Sequence, residues 1–342
     1  MKIELAHRDG AVAYDCAPGE RILLAGLRAG HGLPHECGTG TCGTCKASLV
    51  EGRVADAWPQ APGRKHLKEG EVLLCQVAAE SDCKVSVRGR LVASSAPRAD
   101  SLTGTLQSVT PLNADVLKLE IVPERPIAFE PGQFMLVRVP EVPGYRGWSM
   151  ARFERPGKKL VFTVKLMPKG SVSGWLAAKS RAGTPVELFG PMGRAFFKPG
   201  EDKNLLCIAG GSGLAPMLAI LEGAVMDGHL DRFRADLFFG VRRVADLYAM
   251  DELMALRDRA PGLALTVALS EEAPGREATM RCPNVTFASG FVHVVAGHAM
   301  VQRYADVTAF LAGPPVMVDA AMRMLITEAK LPAKQIRYDK FS

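Results

Sequence analysis

The chain has 342 residues, of which 48% are hydrophobic and 23% charged. This composition excludes a collagen-like, coiled-coil or largely disordered protein, and the length favours two or three domains. The net charge of +6 is spread out, with 12 basic and 11 acidic side chains among the first 92 residues, so we expect no nucleic-acid partner. No apolar run approaches the roughly 18 to 20 residues of a membrane span and no signal-peptide segment opens the chain, so we expect a cytoplasmic protein without membrane contact.

The first chemical signal is a group of four closely spaced cysteines. Cys37, Cys42, Cys45 and Cys75 have the spacing C-x4-C-x2-C-x29-C, with Gly and Thr filling the first two gaps. Small residues let a loop bring three thiolates to one point, which an iron–sulfur cluster requires. A structural zinc site is the alternative, although it usually takes two C-x2-C pairs. A Rieske centre is disfavoured because His35 precedes the first cysteine instead of following it. The spacing predicts a plant-type 2Fe–2S cluster.

On these cysteines, residues 1–92 resemble plant-type ferredoxin domains. The resemblance implies an α+β domain of the β-grasp type that carries one electron at a time at a potential near about −400 mV. A short stretch rich in Ser, Ala and Pro follows at residues 93–100, and we interpret it as a linker.

The sequence pattern of residues 101–200 is typical of an antiparallel sheet. Runs at 116–121, 134–139 and 160–164 mix alternation with β-branched residues and are separated by Pro and Gly. We predict an antiparallel β-barrel over this region.

A short motif in the predicted barrel has the chemistry of a flavin site. In the sequence R-x-W-S, Arg146 suits a pyrophosphate, Trp148 offers a plane for an isoalloxazine ring, and the Ser149 hydroxyl can hydrogen-bond flavin N5. The motif is short, and a strand end with a half-buried Trp is the alternative. We therefore treat Ser149 as a catalytic candidate and all three as cofactor-binding candidates.

A second flavin element follows at Gly170, Ser171 and Ser173, where a predicted short helix begins and offers free N–H groups to a phosphate. The order and spacing of these elements resemble the flavin domain of the ferredoxin:NADP reductase superfamily, whose motif is usually R-x-Y-S. Trp148 here keeps the stacking surface of the usual Tyr and changes its polar edge. The resemblance implies FAD rather than FMN, because an N-terminal ferredoxin domain is the order of FAD-dependent relatives.

Residues 201–342 alternate apolar strands with helices, which predicts an α/β domain with a parallel sheet. A buried strand at 204–209 leads into Gly210, Gly211 and Gly213 and then a helix whose first turn holds Pro216. These residues predict a phosphate-binding loop. The loop is not a G-x-G-x-x-G fingerprint, because Pro216 replaces the third Gly and no acidic residue ends the next strand.

Three further features resemble the nicotinamide domain of the same superfamily. Gly313 and Pro314 open a Gly-Pro-Pro motif, although Ala312 stands where relatives commonly have Cys. The resemblance implies that the terminal aromatic, Phe341, covers the flavin and is displaced by nicotinamide, so we include it as a catalytic candidate. Arg242 could bind the 2′-phosphate of NADPH, but the G-x-R pattern with Asp246 is similar to NADH-using relatives. We favour NADH, with NADPH as the alternative.

The three predicted modules form one electron path. Hydride carries two electrons and a 2Fe–2S cluster accepts one, so a flavin between them is the needed converter. Along its full length the chain resembles reductase components of bacterial multicomponent oxygenases. The segments at residues 51–54, 58–63 and 336–341 resemble most the toluene and phenol di-iron monooxygenase group. The resemblance implies that the protein passes electrons to a separate oxygenase, and we expect a monomer. The alternatives are a reductase of a ring-hydroxylating dioxygenase and a non-catalytic redox sensor or docking protein.

Overall fold

The computed structural model describes residues 1–92, 96–177 and 181–341. Residues 93–95, which belong to the predicted linker, and Ser342 at the chain end lie outside the described residues. Three separate large sheets follow one another along the chain, and each has its own apolar core.

The N-terminal sheet has five strands in the order β2-β1-β7-β3-β5 and is mixed, since β1 pairs in parallel with β7. Helix α1 packs on it with five consecutive buried residues, and β4 pairs with β6 beside it. The elements are β1 (Lys2–His7), β2 (Gly10–Asp15), α1 (Ile22–Arg28), β3 (Lys46–Glu51), β4 (Val54–Asp56), β5 (Glu71–Leu73), β6 (Val77–Ala79) and β7 (Cys83–Ser86).

The second sheet is an antiparallel barrel of six strands in the order β11-β10-β13-β8-β9-β12. An isolated bridge between Met150 and Phe162 brings its two edge strands together and nearly closes it. The elements are β8 (Asp100–Pro111), β9 (Val116–Pro123), β10 (Phe134–Arg138), β11 (Arg146–Ser149), β12 (Leu160–Lys165), α2 (Ser171–Ala177) and β13 (Thr184–Met192).

The third sheet is wholly parallel, in the order β17-β16-β15-β14-β18-β19, and helices cover both faces. The order reverses at β14, whose neighbours are β15 and β18, and such a switch point is where open α/β sheets bind ligands. The elements are β14 (Asn204–Gly210), α3 (Leu214–Met226), β15 (Ala235–Val241), α4 (Met250–Arg259), β16 (Leu263–Leu269), α5 (Arg276–Arg281), β17 (Val285–Ser289), α6 (Val292–Ala299), β18 (Val307–Gly313), α7 (Pro315–Thr327) and β19 (Ile336–Lys340).

These sheets confirm the predicted fold class of a β-grasp unit, an antiparallel barrel and a parallel α/β unit. Before α4 begins at Met250, residues Val244–Asp246 form a 3-10 turn. In the part of the chain that the structure describes, no helix has the length and apolar character to span a membrane.

A small apolar cluster joins the first unit to the barrel. Leu24 of α1 packs with Phe134, Leu136, Phe189 and Met192, all of which are buried barrel residues. None of these residues is part of the barrel core or of the core of the first unit. They form a separate cluster between the two units. The first unit therefore lies against the barrel through an apolar contact.

A buried carboxylate joins the barrel to the third unit. Glu222 on α3 accepts a hydrogen bond from the backbone N–H of Phe153 at 2.7 Å and forms an ion pair with Arg152 at 2.8 Å. Arg337 of β19 donates to the carbonyl of Phe196 at 2.8 Å on the other side of the contact. Because burial by itself raises the pKa of Glu222, the two donors from the barrel are what offset its desolvation.

Candidate redox site

The four cysteines predicted as metal ligands converge as two pairs. A hydrogen bond from Cys42 lowers the pKa of the Cys37 thiol to about 4, and a hydrogen bond from Cys45 lowers the pKa of the Cys75 thiol. Cys45 and Cys75 are buried and the other two are half-buried. Across residues 1–92, 96–177 and 181–341 no three His, Cys, Asp or Glu side chains gather as a site for one ion. Two thiol pairs suit a centre with two irons.

Backbone N–H groups point at these sulfurs, which tests the fit of a cluster. The amides of Thr39 and Cys42 donate to Cys37 Sγ at 3.4 Å, and Thr44 donates to Cys42 Sγ at 3.5 Å. The Gln76 side chain donates to Cys75 Sγ at 3.4 Å. Donors of this kind stabilise the negative charge of thiolate-bound iron–sulfur clusters. The residues present therefore fit a 2Fe–2S cluster.

The loop needs its glycines for backbone reasons. Gly38, Gly40 and Gly43 have φ of +66°, +91° and +77°, which L side chains rarely adopt. A Cβ on Gly40 would also lie 3.0 Å from the Gln76 side chain. The small residues read from the sequence are thus required for the loop to turn its amides inward.

One cavity of ≈ 500 Å³ brings the three units together. Its wall includes Cys37 and Thr39 of the cysteine loop, the strand β11 of the barrel, and residues at the carboxyl ends of β14 and β18. A larger groove of ≈ 970 Å³ lies between α6 and α7, and includes none of the predicted site residues. We therefore take the smaller cavity as the site, because the predicted motifs meet there.

Arg146 enters this cavity as a cation without an acidic partner among the described residues. Its guanidinium is half-buried and donates only to the carbonyl oxygens of Tyr145 and Pro143, at 3.1 and 3.5 Å. Burial lowers the pKa of Arg146, which marks a cation poorly compensated by the protein. Such a group suits the pyrophosphate of a dinucleotide.

Trp148 and Ser149 line the same cavity. The Trp148 ring packs against Phe162 with centroids 5.9 Å apart, which holds its plane against the barrel wall. Ser149 is buried and faces Phe134 across the β10–β11 ladder. An aromatic face and a hydroxyl therefore lie next to the unpaired guanidinium.

The second predicted flavin element is placed differently. Gly170, Ser171 and Ser173 open α2, but none of them lines the cavity, whereas Met167 just before them does. The Ser173 hydroxyl accepts a hydrogen bond from the Met167 amide at 2.8 Å and so holds that turn. The phosphate contact predicted for this helix remains a prediction.

The glycine-rich loop divides into two roles. Gly210 and Gly211 line the cavity at the end of β14. Gly213 does not line the cavity. It lies against β18 instead, where a Cβ would be 2.0 Å from the carbonyl oxygen of Ala312. Pro216 is buried in the first turn of α3. Gly213 is therefore required for backbone packing at the switch point, which sequence reasoning attributed to the diphosphate alone.

The Gly-Pro-Pro motif meets the chain end at this point. Pro314 and Phe341 line the cavity, while the Gly313 carbonyl accepts a hydrogen bond from the Phe341 amide at 2.9 Å. The terminal aromatic thus lines the same cavity as β11, and its predicted position over the flavin remains a prediction.

Asp339 is a site residue that sequence reasoning missed. It lines the cavity, and its Oδ2 atom is buried without a hydrogen-bond partner. Burial, reinforced by the nearby Glu36, raises the pKa of Asp339 to about 7. Tyr338 beside it donates to Glu36 at 3.2 Å, so the last strand contacts the cysteine loop. Its only sequence signal was its place two residues before Phe341.

Sequence analysis also missed Glu271, which lies at the carboxyl end of the parallel sheet. Arg242 and Arg243 follow β15 and are exposed, but Arg243 pairs with Glu271 at 3.1 Å and Arg242 lies 3.8 Å from Asp246. Glu271 follows β16, one strand beyond the one inspected for an acidic residue. Its backbone N–H donates to the Arg242 carbonyl at 3.0 Å, which continues the sheet ladder. The carboxylates of Asp246 and Glu271 therefore lie beside the two arginines at the carboxyl ends of these strands.

This fold and site define a class of protein. It is an oxidoreductase that joins an iron–sulfur loop, a flavin-type barrel and a nucleotide-binding sheet. Comparison with known families agrees. The 2Fe-2S iron-sulfur cluster binding domain matches residues 6–80, and the oxidoreductase NAD-binding domain matches residues 207–323.

The chain is similar over nearly its whole length to known reductases. It is 33% identical to a ferredoxin–NAD(P)+ reductase of Metapseudomonas resinovorans (97% of this chain, 98% of the relative). It is 32% identical to the ferredoxin–NAD+ reductase component of the alkene monooxygenase system of Xanthobacter autotrophicus (96% and 98%). The reductase component of phenol 2-monooxygenase from a Pseudomonas species is 30% identical (94% and 90%).

The fold is that of a solved ferredoxin reductase in carbazole 1,9a-dioxygenase, with a TM-score of 0.86, 31% identity and coverage of 100% of this chain and 99% of that one. The chain belongs to the family of iron–sulfur flavoprotein reductases that are components of multicomponent oxygenases. It uses a 2Fe–2S cluster, FAD and NAD(H), which confirms the predicted cofactors.

The buried Asp339 gives a prediction for stability against pH. Its raised pKa means that, between about pH 4 and pH 7, the folded chain holds a proton that the unfolded chain releases, so stability falls as pH rises. Asp339→Asn removes this loss. We expect the variant to exceed the wild type in free energy of unfolding by about 1.5 kcal/mol at pH 5 and about 4 kcal/mol at pH 8, measured by urea unfolding.

Asp227→Asn is the control, because Asp227 is exposed at the end of α3 and should change little at either pH. An Asp339→Asn variant that is less stable than the wild type at pH 8 would show that the carboxylate is charged and well compensated, contrary to this account.

Proposed function

We propose that the chain passes electrons from NADH through FAD and its cluster to the hydroxylase of a di-iron monooxygenase acting on a hydrocarbon. The observation that supports this path is the single cavity shared by the cysteine loop, β11 and the switch point of the parallel sheet. The family relation supports an oxygenase as the acceptor. We further propose a cytoplasmic monomer.

We propose four regions: an iron–sulfur domain at residues 1–92, a linker at 93–100, an FAD domain at 101–200 and an NADH domain at 201–342. The three sheets at 2–86, 100–192 and 204–340 are consistent with these limits. The proposed linker ends at the first residue of the barrel, because Asp100 already belongs to β8.

The residues of the cavity wall support the following proposed roles. When bound, FAD accepts a hydride and releases electrons singly, and the protein supplies orientation. Arg146 holds the pyrophosphate charge, Trp148 packs on the ring system and Ser149 hydrogen-bonds its reactive edge. Phe341 excludes water from that edge until nicotinamide replaces it. Cys37, Cys42, Cys45 and Cys75 ligate the two irons as the two pairs described above.

We propose NADH over NADPH because of the charges at the sheet edge. A 2′-phosphate needs unpaired cations, whereas Arg243 is already paired with Glu271. A carboxylate at the end of a strand can instead accept hydrogen bonds from ribose hydroxyls and repel a phosphate. Phe291, 66% exposed after β17 at the same edge, offers an apolar face to the adenine.

A ring-hydroxylating dioxygenase remains the second candidate acceptor. The carbazole dioxygenase reductase fold and a naphthalene dioxygenase/salicylate hydroxylase reductase component at 30% identity favour it. Alkene, propane and phenol monooxygenase components match at 30–32% identity and favour the di-iron partner. The non-catalytic alternative has no supporting observation.

The first prediction concerns the cluster ligands. Cys42→Ala should lose most of the bound iron and the visible absorbance of the cluster, because one iron loses half of its protein ligands. Cys83→Ala is the control, since Cys83 is a buried cysteine of β7 that lies outside the quartet. Iron content and absorbance of the purified proteins measure both. Full iron retention in Cys42→Ala would remove that cysteine from the site.

A second prediction concerns coenzyme choice. Glu271→Gln frees Arg243 and removes a negative charge, so we expect kcat/KM for NADPH relative to NADH to rise by about 10-fold or more, equivalent to roughly 1.4 kcal/mol. Asp227→Asn should leave the ratio unchanged. An unaltered ratio in Glu271→Gln would place the ribose elsewhere.

The function itself is tested by electron delivery. The purified reductase is mixed with NADH and, in turn, with the hydroxylases of the phenol, alkene and propane monooxygenase systems and the oxygenase of the naphthalene dioxygenase system. We expect faster product formation with at least one di-iron hydroxylase than with the dioxygenase. Delivery only to the dioxygenase would favour the second candidate, and delivery to none would contradict the proposal.

A further inference from the structure

The cysteine loop has one side that is closed to other proteins. Cys37 and Thr39 face the cavity. Gly38 between them lies so close to the barrel that a Cβ would be 3.1 Å from Met192 and 3.2 Å from Leu136. An acceptor protein must therefore approach the cluster from another direction while the first unit is docked as observed.

The other side of the loop is covered by an outer turn, defined here as residues 58–65. The residue just before the turn gives the turn its first anchor, because the Ala57 amide donates to the Gln76 carbonyl at 3.0 Å beside Cys75. Its second anchor is the Gly63 amide, which donates to the Gly40 carbonyl at 2.9 Å inside the cysteine loop. The outer turn thus spans between the two segments that carry the four cysteines, and none of its residues lines the cavity.

Trp58 begins the outer turn and is 40% exposed. Its backbone is held on both sides: its amide donates to Asp56 Oδ1 at 3.0 Å, and its carbonyl accepts from the Ala61 amide at 3.0 Å. Asp56 also pairs with Arg64, which ties the two ends of the turn together. A large aromatic side chain presented on a fixed backbone is the residue type that dominates binding energy in protein interfaces.

The charge of the turn indicates the chemistry of the partner surface. From residue 56 to residue 69 the chain has Arg64, Lys65 and Lys68 against Asp56 and Glu69, and Asp56 is the partner of Arg64. Lys65 and Lys68 are both exposed. The unit as a whole is balanced, so this local excess favours short-range contacts with carboxylates over long-range steering.

We propose that the oxygenase component docks on the outer turn, with Trp58 in an apolar pocket that carboxylates surround. The inference rests on the proposed function, because it takes the electron acceptor to be an oxygenase protein. The surface lies over the segments that carry the cysteines, so a protein seated there reaches the cluster without disturbing the barrel contact.

The test uses the full-length holoprotein and the oxygenase that accepts electrons in the panel above. Trp58→Ala should raise the KM for the oxygenase at least 10-fold, whereas iron and flavin content and NADH-driven ferricyanide reduction stay within 2-fold of the wild type. Trp58→Phe should recover much of the loss. Val50→Ala is the matched control, because Val50 is 62% exposed on β3 of the same unit and outside the turn.

Lys65→Glu is a second, independent test of docking on the outer turn. It replaces the first test if the Trp58→Ala protein loses its cluster. It should raise the KM for the oxygenase at least 3-fold at low salt, with a smaller effect at high salt. Equal KM values for the wild type, Trp58→Ala and Lys65→Glu would overturn the inference and leave the proposed function standing. A wild type that reduces no oxygenase would overturn both.

Discussion

The contact between the cysteine loop and the barrel is the constraint on which the rest of the structure depends. Gly38 can approach Leu136 and Met192 because it has no side chain, and Leu24 of α1 continues the same apolar contact toward Phe134. This packing sets where the thiol pairs stand relative to β11. Tyr338 adds a polar contact from the last strand to Glu36. The three units therefore share one cavity instead of facing separate ones, which makes a single electron path physically reasonable.

Local sequence signals predicted the parts of the molecule that depend on neighbouring residues. The cysteine spacing, the glycine-rich turn after a buried strand and the R-x-W-S strand each lie in one segment, where residue type and spacing carry the chemistry. The structure brings Cys37, Arg146 and Gly210, which are far apart in the chain, to the same cavity. The sheet types followed from alternation in residues 101–200 and from strand–helix order after residue 201, because those periods reflect burial on one or two faces.

The roles of several residues could not be predicted from the sequence, because they depend on contacts between distant segments. Asp339 is a site residue because β19 pairs with β18 and brings it opposite Ala312, which no local pattern reveals. Glu271 meets Arg243 only because β15 and β16 are adjacent in the sheet. Gly213 resembles a phosphate-loop glycine in sequence, yet the backbone of β18 is what excludes a side chain there. In each case strand order, which is a tertiary property, decides the role.

The contact between the cysteine loop and the barrel predicts that the iron–sulfur unit is already docked when electrons leave the flavin. Stopped-flow measurement of cluster reduction by NADH, as protein concentration and solvent viscosity are varied separately, tests it most directly. A docked unit predicts a rate constant that is independent of both, since no diffusive search precedes the transfer. A rate constant that falls in proportion to viscosity, or rises with protein concentration, would contradict the account.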